Sequence, residues 1–579
     1  MGFALINHGG SMAALENVLN KSDKSNSLFE AEIRKIKIPV CKQFLKGGKI
    51  SPVDFKASKD SVSSKDSTKV FASFPNLRET ASKVMQGVRG GKRPKLKGKR
   101  IAVLFSGGPA AGGHNVVAGL FDMLAASKCT LLGVKAGPKG LINGDLFMVK
   151  AEDIKRIKNT GGFDYLGSDR TKIKTEEQFA AVKKTCVDNK LDAIVVVGGD
   201  DSNTNAAVLA EYLYIGVKPD GSGVQVIGVP KTIDGDLQIG KFLPISFGFD
   251  TATKIFAEMV GNILQDTPSS RKYWHFIKLM GRAASHVALE VALQTKPAIA
   301  LISEEVAEKK MALADIVKQI GDTVINRAGN KMNYGVVVVP EGLIEFIPEM
   351  NLLIHELNHI VAKHEKETAE LELAKKIDFV RAKLSEEHSS LFASLPHYIQ
   401  EMLLFDRDSH GNLQVSQIPT EKLLIDMVKK YVKKTAPETK FSTLNHFFGY
   451  EGRCGAPSLF DAAYCYNLGL TAGAAIVNGM TGYIVSFTQL DKGGEILAIP
   501  LVGLLNIEMR HGKEEMVIEK ALVKTDSPAF MYFAVNRARW GEKDLFTSPG
   551  PRQLWGPVCN QMPMTVALNQ GYGKLGFKI

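Results

Sequence analysis

The sequence predicts an α/β fold built on two parallel β-sheets, and three observations carry that prediction. Short apolar runs such as IAVLF at 101–105 and AIVVV at 193–197 recur along the chain, with helical segments between them. Each run is apolar throughout rather than alternating, which is typical of strands buried on both faces. Each run also ends in a glycine-rich or polar loop, and open parallel sheets bind ligands at the carboxyl ends of their strands.

The first 97 residues are expected to form an N-terminal extension, in which the polar stretch KASKDSVSSKDSTK at 56–69 predicts a surface loop. The strand–loop–helix pattern then begins at Arg100. We expect a first α/β domain over 98–265, completed by 475–579.

The second domain is expected over 266–474. Its predicted strands lie in KYWHFIKLMGR at 272–282, PAIALIS at 297–303 and NYGVVVVPEG at 333–342. Between about 350 and 440 the pattern becomes charged and helical, which predicts a helical insertion into this domain.

The composition is typical of a soluble globular protein, with 45% hydrophobic and 23% charged residues. The formal charge of +12 fits nucleic acid, a membrane surface or small polyanionic substrates. The basic stretch RGGKRPKLKGKR at 89–100 is interpreted as a solvated linker, so we expect neither a nucleic-acid nor a membrane partner.

Two features of the sequence indicate a cytoplasmic protein. The six cysteines form no CxxC pair, which favours reduced thiols, and the N-terminus lacks the basic and apolar regions of a signal peptide. The uncharged stretch at 468–487 is long enough to span a bilayer, but Asn478 and Gly479 interrupt it with a turn signal. We interpret it as a helix, a turn and a strand.

The loop SGGPAAGGHN at 106–115 follows the first strand of the first domain. It lacks the GK[ST] of a P-loop and the spacing of GxGxxG. Taken alone, its four glycines predict either the close approach of an anion to the backbone or a tight turn.

Two adjacent carboxylates, Asp200 and Asp201, follow the second strand. They would repel a phosphate unless a divalent cation intervened, and Mg²⁺ prefers one or two carboxylates together with phosphate oxygens. One aspartate is therefore a candidate Mg²⁺ ligand, and the other needs a separate explanation.

The third loop, PKTIDGD at 230–236, places Lys231 three residues before Asp234. Phosphoryl transfer needs a positive charge for the developing phosphate and a base for the attacking hydroxyl. A turn with a surface lysine would explain the same letters. Because all three loops follow parallel strands, we expect them to converge at one edge of the sheet.

Together with MGR at 280–282 and YEGR at 450–453, these loops resemble, in this order, the phosphofructokinase family. The resemblance is close over roughly 100–349 and 440–490. It implies two Rossmann-like parallel-sheet domains of the phosphofructokinase fold, with substrate residues shared across the interface of a homodimer or higher oligomer. Pro109 and Ala111 depart from the pattern of many relatives, and neither change removes a catalytic side chain.

The resemblance points to the long form of the pyrophosphate-dependent branch, because Asp201 and Lys231 match it. That branch transfers a phosphoryl group reversibly, with Mg²⁺, from pyrophosphate to the 1-hydroxyl of fructose 6-phosphate, giving fructose 1,6-bisphosphate and phosphate. ATP-using relatives have glycine in the place of Asp201. A carboxylate there would fill the space of the nucleotide's α-phosphate and cost about 1–4 kcal/mol at about 4 Å.

The resemblance implies a role for each matching residue. Asp200 would be the Mg²⁺ carboxylate, and Asp234 the base for the 1-hydroxyl. Lys231 would stabilise the leaving phosphate, and Thr232 would hold the sugar or the transferring phosphoryl group. The other implied substrate-binding residues are Gly107, Gly108, Arg170, Ile233, Lys272, Tyr273, Met280, Gly281, Arg282, Glu341, Tyr450, Glu451, Gly452 and Arg453.

Within that set, Arg170 would lie near the transferring phosphoryl group and Glu341 would bind a sugar hydroxyl. Arg453 would bind the 6-phosphate, and Lys272 and Tyr273 would reach the substrate of a neighbouring subunit.

Other readings stay open at this stage. One is an ATP-dependent phosphofructokinase or a GGD-type kinase of NAD or lipid, and the other is a non-catalytic regulatory subunit. Asp201 and Lys231 argue against ATP, the PKTIDGD, MGR and YEGR segments argue against the NAD and lipid kinases, and the presence of Asp234 argues against a regulatory subunit.

Two further patterns are interpreted as structural. His355 and His359 complete an HExxH pattern, but a catalytic zinc also needs a third protein ligand and an open cleft, and the pattern lies in the charged insertion beside a further His364. The stretch DRDSHGNLQVSQ at 406–417 resembles an EF-hand loop without its bidentate glutamate, so we interpret it as a turn.

Overall fold

Strands and helices are numbered here along the chain. The residues that the computed structural model describes are 28–89, 98–364, 367–368, 371–405, 417–510, 513–550, 558 and 561–572. The strands are β1 (Leu45–Lys46), β2 (Lys49–Ile50), β3 (Asp54–Ser61), β4 (Lys83–Val88), β5 (Arg100–Ser106), β6 (Thr130–Val134), β7 (Leu146–Met148), β8 (Ser168–Asp169), β9 (Ala193–Gly198), β10 (Gln225–Thr232), β11 (Phe247–Gly248), β12 (Tyr273–Leu279), β13 (Ile299–Ala300), β14 (Tyr334–Pro340), β15 (Thr443–Phe448), β16 (Tyr483–Thr488), β17 (Glu495–Pro500), β18 (Leu505–Arg510) and β19 (Lys513–Ile518).

The helices lie before, between and after these strands. They are α1 (Leu28–Ile33), α2 (Ser67–Ala72), α3 (Gly113–Ala126), α4 (Gly137–Asn143), α5 (Ala151–Ile157), α6 (Glu176–Asp188), α7 (Asp200–Tyr212), α8 (Phe249–Ser270), α9 (His286–Thr295), α10 (Ser303–Glu308), α11 (Leu313–Gly329), α12 (Leu343–Phe346), α13 (Pro348–Lys363), α14 (Leu373–Arg381), α15 (Glu386–Ser394), α16 (His397–Phe405), α17 (Thr420–Thr435), α18 (Leu459–Val477), α19 (Pro528–Lys543) and α20 (Met564–Asn569).

The larger sheet has the strand order β3-β4-β17-β16-β10-β9-β5-β6-β7, with β11 beside β10 and β8 beside β5. Its centre, from β16 to β6, is parallel. Alternate residues of β5 enter two different cores: Ile101, Val103 and Phe105 pack on one face, and Ala102 and Leu104 on the other. This burial on both faces explains the uninterrupted apolar runs and confirms the predicted parallel α/β domain.

The N-terminal extension contributes two strands to this sheet. β4 pairs antiparallel with β17, and β3 pairs antiparallel with β4 at the edge. The predicted surface loop at 56–69 was wrong in its structure, because β3 runs to Ser61 and α2 begins at Ser67. An edge strand with mostly exposed polar side chains carries no apolar pattern, so composition alone resembles a loop.

The smaller sheet has the order β13-β14-β12-β15, and its strands are all parallel. The strand predicted at 297–303 is short, spanning only Ile299–Ala300. The helical insertion is confirmed, and it enlarges the core of this sheet: Leu357 of α13 and Phe392 of α15 are buried in one cluster with Trp274 of β12.

The stretch at 468–487 forms the end of α18, a turn and β16, as predicted. α18 packs closely on α3, where a Cβ at Gly119 would lie 1.9 Å from the carbonyl oxygen of Tyr466. Across the described ranges, no helix combines the length and apolarity that a membrane crossing requires.

Candidate active site

The three predicted loops of the larger sheet converge on one cleft of about 770 Å³. It lies at the carboxyl ends of β5, β9 and β10, as parallel topology requires. The residues that line it are Ser106, Gly107, Gly108, Arg170, Thr171, Lys172, Lys174, Gly199, Asp200, Asp201, Ser202, Asn205, Lys231, Thr232, Asp234, Asp236, Glu515 and Lys520. The cleft is therefore strongly charged, with both signs close together.

The β10 strand includes the first three residues of the predicted PKTIDGD loop, Pro230, Lys231 and Thr232. Lys231 and Thr232 remain in the strand because they pair with Phe247 and Gly248 of β11. The chain then turns, and the backbone N–H of Asp234 donates to Oγ1 of Thr232 at 3.0 Å. This turn presents the Asp234 carboxylate to the cleft.

Asp200 and Asp201 are the first two residues of α7 rather than part of a loop. Carboxylates are favourable there because the helix dipole is positive at its N-terminus. Burial raises the pKa of Asp200, and Asp201 and Asp236 add to that rise. The Asp201 side chain is 59% exposed, and its Oδ1 lies 3.8 Å from Nζ of Lys172.

The glycines of the first loop allow cations to approach the backbone. Gly107 has a φ of +82°, and a Cβ there would lie 3.4 Å from Nζ of Lys231. A Cβ at Gly108 would lie 2.5 Å from Nη2 of Arg453 and 3.9 Å from Nη2 of Arg170. Lys231, Arg170 and Arg453 therefore place positive charge beside the loop, which suits an anion.

The surroundings of Lys231 and Asp234 move the pKa values of both side chains toward 7. Burial lowers the pKa of Lys231 to about 8, against the pull of Asp234 and Asp236. Burial and the neighbouring Asp236 raise the pKa of Asp234 to about 7, against the pull of Lys520. A carboxylate near this value can take a proton from a hydroxyl and release it again.

The loops of the smaller sheet also meet at one edge. The backbone N–H of Met280 donates to the carbonyl of Phe448 at 2.9 Å, which joins the MGR segment to the end of β15, two residues before YEGR. Glu341, which follows β14, accepts a hydrogen bond from the N–H of Gly281 at 2.9 Å. Burial raises the pKa of Glu341, and the positive charges of Lys278 and Arg282 oppose that rise.

The YEGR segment connects the two sets of loops. Glu451 accepts a hydrogen bond from the N–H of Gly449 at 2.7 Å, and Gly452 packs against the ring of Phe256. The guanidinium of Arg453 lies 5.0 Å from the ring centroid of Tyr450 and beside Gly108. Arg453 thus contacts the first loop, and its implied contact with the 6-phosphate stays a prediction.

Ile233 and Arg282 occupy different environments near the cleft. Ile233 is buried and packs near Gly248, so it shapes the PKTIDGD turn. Arg282 is exposed, and its charge acts on Glu341 and Lys520.

Lys272 and Tyr273 lie away from the other candidate residues. They stand at the start of β12, whereas Met280 and Gly281 follow its other end. Seven residues of strand separate the two ends by roughly 20 Å. Nζ of Lys272 lies 5.1 Å from the Tyr273 ring centroid, and Tyr273 has a φ of +72°. Their implied contact with a neighbouring subunit stays a prediction.

The structure adds charged residues that the sequence interpretation missed. Nζ of Lys172 lies between Asp201 and Glu515, at 3.8 Å and 3.7 Å. Nζ of Lys520 lies 3.5 Å from Oδ2 of Asp236. Lys520 and Glu515 come from the β19 region, in a segment of the chain that shows no recognisable pattern.

The cleft could hold a divalent cation in one arrangement, in which a phosphate substrate supplies part of the ligands. In the described part of the chain, no three His, Cys, Asp or Glu side chains form a cluster that could hold a metal ion. Asp200 lines the cleft beside Asp201, and Mg²⁺ accepts one or two carboxylates when phosphate oxygens supply other ligands. Asp200 could therefore hold Mg²⁺ together with a phosphate substrate.

The two patterns set aside at the sequence level lie elsewhere. His355 and His359 are on α13, in the helical insertion. The EF-hand-like stretch at 406–416 lies outside the described residues, as do residues 90–97 of the basic stretch.

Comparison with known proteins shows the family. The protein-family model described as Phosphofructokinase matches residues 100–476 of this chain. The chain is 48% identical over 490 residues to the pyrophosphate–fructose 6-phosphate 1-phosphotransferase of Treponema pallidum (strain Nichols), covering 82% of this chain and 84% of that protein.

Two further relatives carry related names. The pyrophosphate–fructose 6-phosphate 1-phosphotransferase of Entamoeba histolytica is 47% identical over 479 residues, covering 81% of this chain and 87% of that protein. The subunit beta of the Solanum tuberosum enzyme is 46% identical over 481 residues, covering 82% of each chain. With the family model matching 100–476 and relatives matching over most of its length, this chain belongs to the phosphofructokinase family.

Proposed function

We propose that this chain transfers a phosphoryl group reversibly from pyrophosphate to the 1-hydroxyl of fructose 6-phosphate. The relatives described above are named for that reaction. The observation that carries the proposal is the position of Asp201 on the donor cleft, in the first turn of α7 and 3.8 Å from Lys172. A carboxylate there repels a third phosphate, and pyrophosphate has none.

Asp234 is the proposed base. It accepts the proton of the 1-hydroxyl as the sugar oxygen forms a bond to the transferred phosphorus and the bridging oxygen of pyrophosphate leaves with the second phosphate. Its raised pKa and its position at the end of the Thr232 turn support this role. In the reverse direction the same carboxyl returns the proton.

Cations of this chain stabilise the charge of the donor. Lys231 lies behind Gly107 and faces the departing phosphate, while Arg170 and Arg453 lie at Gly108. These groups are already in place before the reaction, so no reorganisation is needed when charge develops. Mg²⁺ held by Asp200 and the phosphate oxygens would supply further positive charge when bound.

The two sheets suggest a division of labour. We assign the donor to 98–265 with 475–579, because β5, β9, β10 and β16 share one sheet, and the sugar phosphate to 266–474. We assign residues 1–97 as an extension, of which β3 and β4 join the edge of the donor sheet.

The test is the donor preference of the purified chain with fructose 6-phosphate and Mg²⁺. We expect turnover with pyrophosphate at least about 100-fold above that with ATP, and pyrophosphate formation from fructose 1,6-bisphosphate and phosphate. Preference for ATP would contradict the assignment, and no turnover with either donor would favour a regulatory subunit.

Variants of Asp201 separate charge from space. Asp201→Asn removes the charge and keeps the size, whereas Asp201→Gly removes both. We expect kcat/KM for ATP to rise in both variants, more in the glycine variant. Lys172→Met is the matched control, because it removes the charge that faces Asp201 and leaves the carboxylate in place. Unchanged ATP discrimination in the glycine variant would contradict the role of Asp201.

We also propose that the active unit is at least a dimer in which Lys272 and Tyr273 serve the partner's site. A mixture of Lys272→Met and Asp234→Asn chains tests this. In a shared-site dimer, each mixed pair contains one intact site, so random reassortment restores about a quarter of wild-type activity. Separate sites within each chain would restore none.

A further inference from the structure

Lys520 is a cleft residue that the family model does not reach, since that model ends at 476. It follows β19, and its Nζ lies 3.5 Å from Oδ2 of Asp236, with exposed fractions of 34% and 5% for the two side chains. The side chain lines the donor cleft together with Asp200 and Asp234. Its ammonium is thus the second positive charge, beside Lys231, close to the base.

The backbone around Lys520 is fixed by both parts of the molecule. The N–H of Ala521 donates to the carbonyl of Asp236 at 2.7 Å, and Nε2 of His286 lies 2.8 Å from the carbonyl oxygen of Ala521. The N–H of Val523 donates to Glu304 at 3.0 Å, and that of Ile518 donates to Oγ1 of Thr204 at 3.1 Å.

These bonds reach a turn of the larger sheet, helix α7, and helices α9 and α10 of the smaller unit. A lysine held at four points of its segment is a built part of the cleft rather than a mobile surface group.

The balance of charge shows what Lys520 does. Lys231, Lys172, Lys174 and Arg170 also line the cleft. Three of its carboxylates, Asp200, Asp234 and Asp236, attract the ammonium of Lys520. Burial alone would lower the pKa of Lys520, but the attraction of these carboxylates raises it above the ordinary value. Lys520 is therefore positively charged in the working enzyme.

We propose that Lys520 is a positioning residue for the base Asp234. The fixed positive charge of Lys520 offsets the repulsion that the negative charge of Asp236 exerts on the Asp234 carboxylate. This inference rests on the proposed function. The charged groups that face Asp234 are Asp236 in its own turn, Lys231 on β10, Glu341 after β14 and Lys520. Burial, Asp236 and Glu341 raise the pKa of Asp234, and the positive charges of Lys520 and Lys231 oppose that rise.

The first test is the pH dependence of kcat/KM for pyrophosphate in Lys520→Met, measured between about pH 5.5 and 9. Asp234 must be ionised to act as a base, so activity is lost as the pH falls through its pKa. Removing Lys520 raises that pKa. We expect the acid limb to move up by about one pH unit, which lowers kcat/KM about tenfold below the limb and little above it. Lys520→Arg should keep the wild-type limb.

Asp236→Asn provides the opposite perturbation. It removes the charge that raises the pKa of Asp234, so the acid limb should move to lower pH, whatever happens to the maximal rate. Lys65→Met is the matched control. It removes an exposed ammonium that pairs with the adjacent Glu519 at 2.8 Å, and it should leave the limb unchanged. Thermal unfolding of each variant verifies that it is folded.

Three results would overturn the inference. An unmoved limb in folded Lys520→Met would show that the charge does not act on Asp234. A higher KM for pyrophosphate with an unmoved limb would make Lys520 a direct substrate ligand. An upward shift in Asp236→Asn would reverse the required sign, and Lys520→Gln, measured in the same way, decides the matter if Lys520→Met does not fold. Absence of pyrophosphate-dependent turnover in the wild type would instead refute the proposed function itself.

Discussion

Asp234 and Asp461 are two aspartates whose pKa is raised to about 7, yet one faces the donor cleft and the other lies in the interior. Asp461 is 0% exposed. Its carboxylate accepts hydrogen bonds from the N–H groups of Gly248 and Thr251, at 3.1 Å and 2.8 Å, and from the Thr251 hydroxyl at 2.5 Å. Asp250 lies close enough to raise its pKa further.

The surroundings of Asp234 differ in kind. In the described part of the chain, the charged groups that act on its carboxylate are Asp236, Lys520, Glu341 and Lys231. Its backbone N–H donates a hydrogen bond to Oγ1 of Thr232. The comparison teaches that a raised pKa does not by itself identify a functional carboxylate. Hydrogen-bond donors aimed at the carboxylate indicate a structural role, whereas a carboxylate that faces a cleft and is surrounded by charged side chains indicates chemistry.

The largest expected effect is on catalysis. Asp234→Asn removes the proposed base and keeps the size, so we expect kcat to fall by about 10³-fold, with fructose 6-phosphate still bound. Asp461→Asn, the matched change in the interior, should keep kcat per folded molecule within about threefold. Steady-state kinetics and equilibrium binding measure both. A normal rate in Asp234→Asn would remove Asp234 as the base.

The second effect is on folding. Asp461→Ala leaves the donors of Gly248 and Thr251 buried without an acceptor, and we expect it to lower the free energy of unfolding by about 3 kcal/mol. Asp234→Ala should lower it by less than about 1 kcal/mol, because no hydrogen bond from the described residues reaches that carboxylate. Denaturant titration compares the two, and equal losses would erase the distinction between the sites.

The third effect is the shape of the pH profile. Activity should rise about tenfold per pH unit below about 7, as Asp234 loses its proton, and fall above about 8, as Lys231 loses its own. Although the pKa of Asp461 is also about 7, Asp461→Asn should leave both limbs in place. Movement of the acid limb in that variant would assign it to the interior group.

The smallest effect is a pH-dependent gain in stability. The folded-state pKa of Asp234 lies above its unfolded value, so its contribution to stability is present at low pH and is lost as the pH rises toward 7. Asp234→Asn should therefore stabilise the protein by about 1 kcal/mol at pH 8 and not at pH 4, a value discounted for its partial exposure. A gain at pH 4 as well would have another cause.

Sequence reasoning reached the parts of the site that lie on strand ends. Gly107, Asp200, Lys231 and Asp234 follow runs that only a buried parallel sheet explains, and the topology brings such ends together. The sequence did not predict Lys520, because long-range hydrogen bonds of its segment place it in the cleft. Its local sequence resembles any charged surface segment.

The same limit applies to boundaries. No sequence pattern predicts that β10 continues through Lys231, because this part of the strand pairs with β11, a two-residue strand that forms only in the tertiary structure. The polar edge strand β3 likewise has no apolar alternation to reveal it.

The order of strands has a consequence for synthesis on the ribosome. β4 emerges early, yet its neighbour β17 is made more than 400 residues later, and β16 fills the gap between β17 and β10. During synthesis, β3 and β4 can pair with each other, but β4 therefore lacks its second neighbour until most of the polypeptide has been translated.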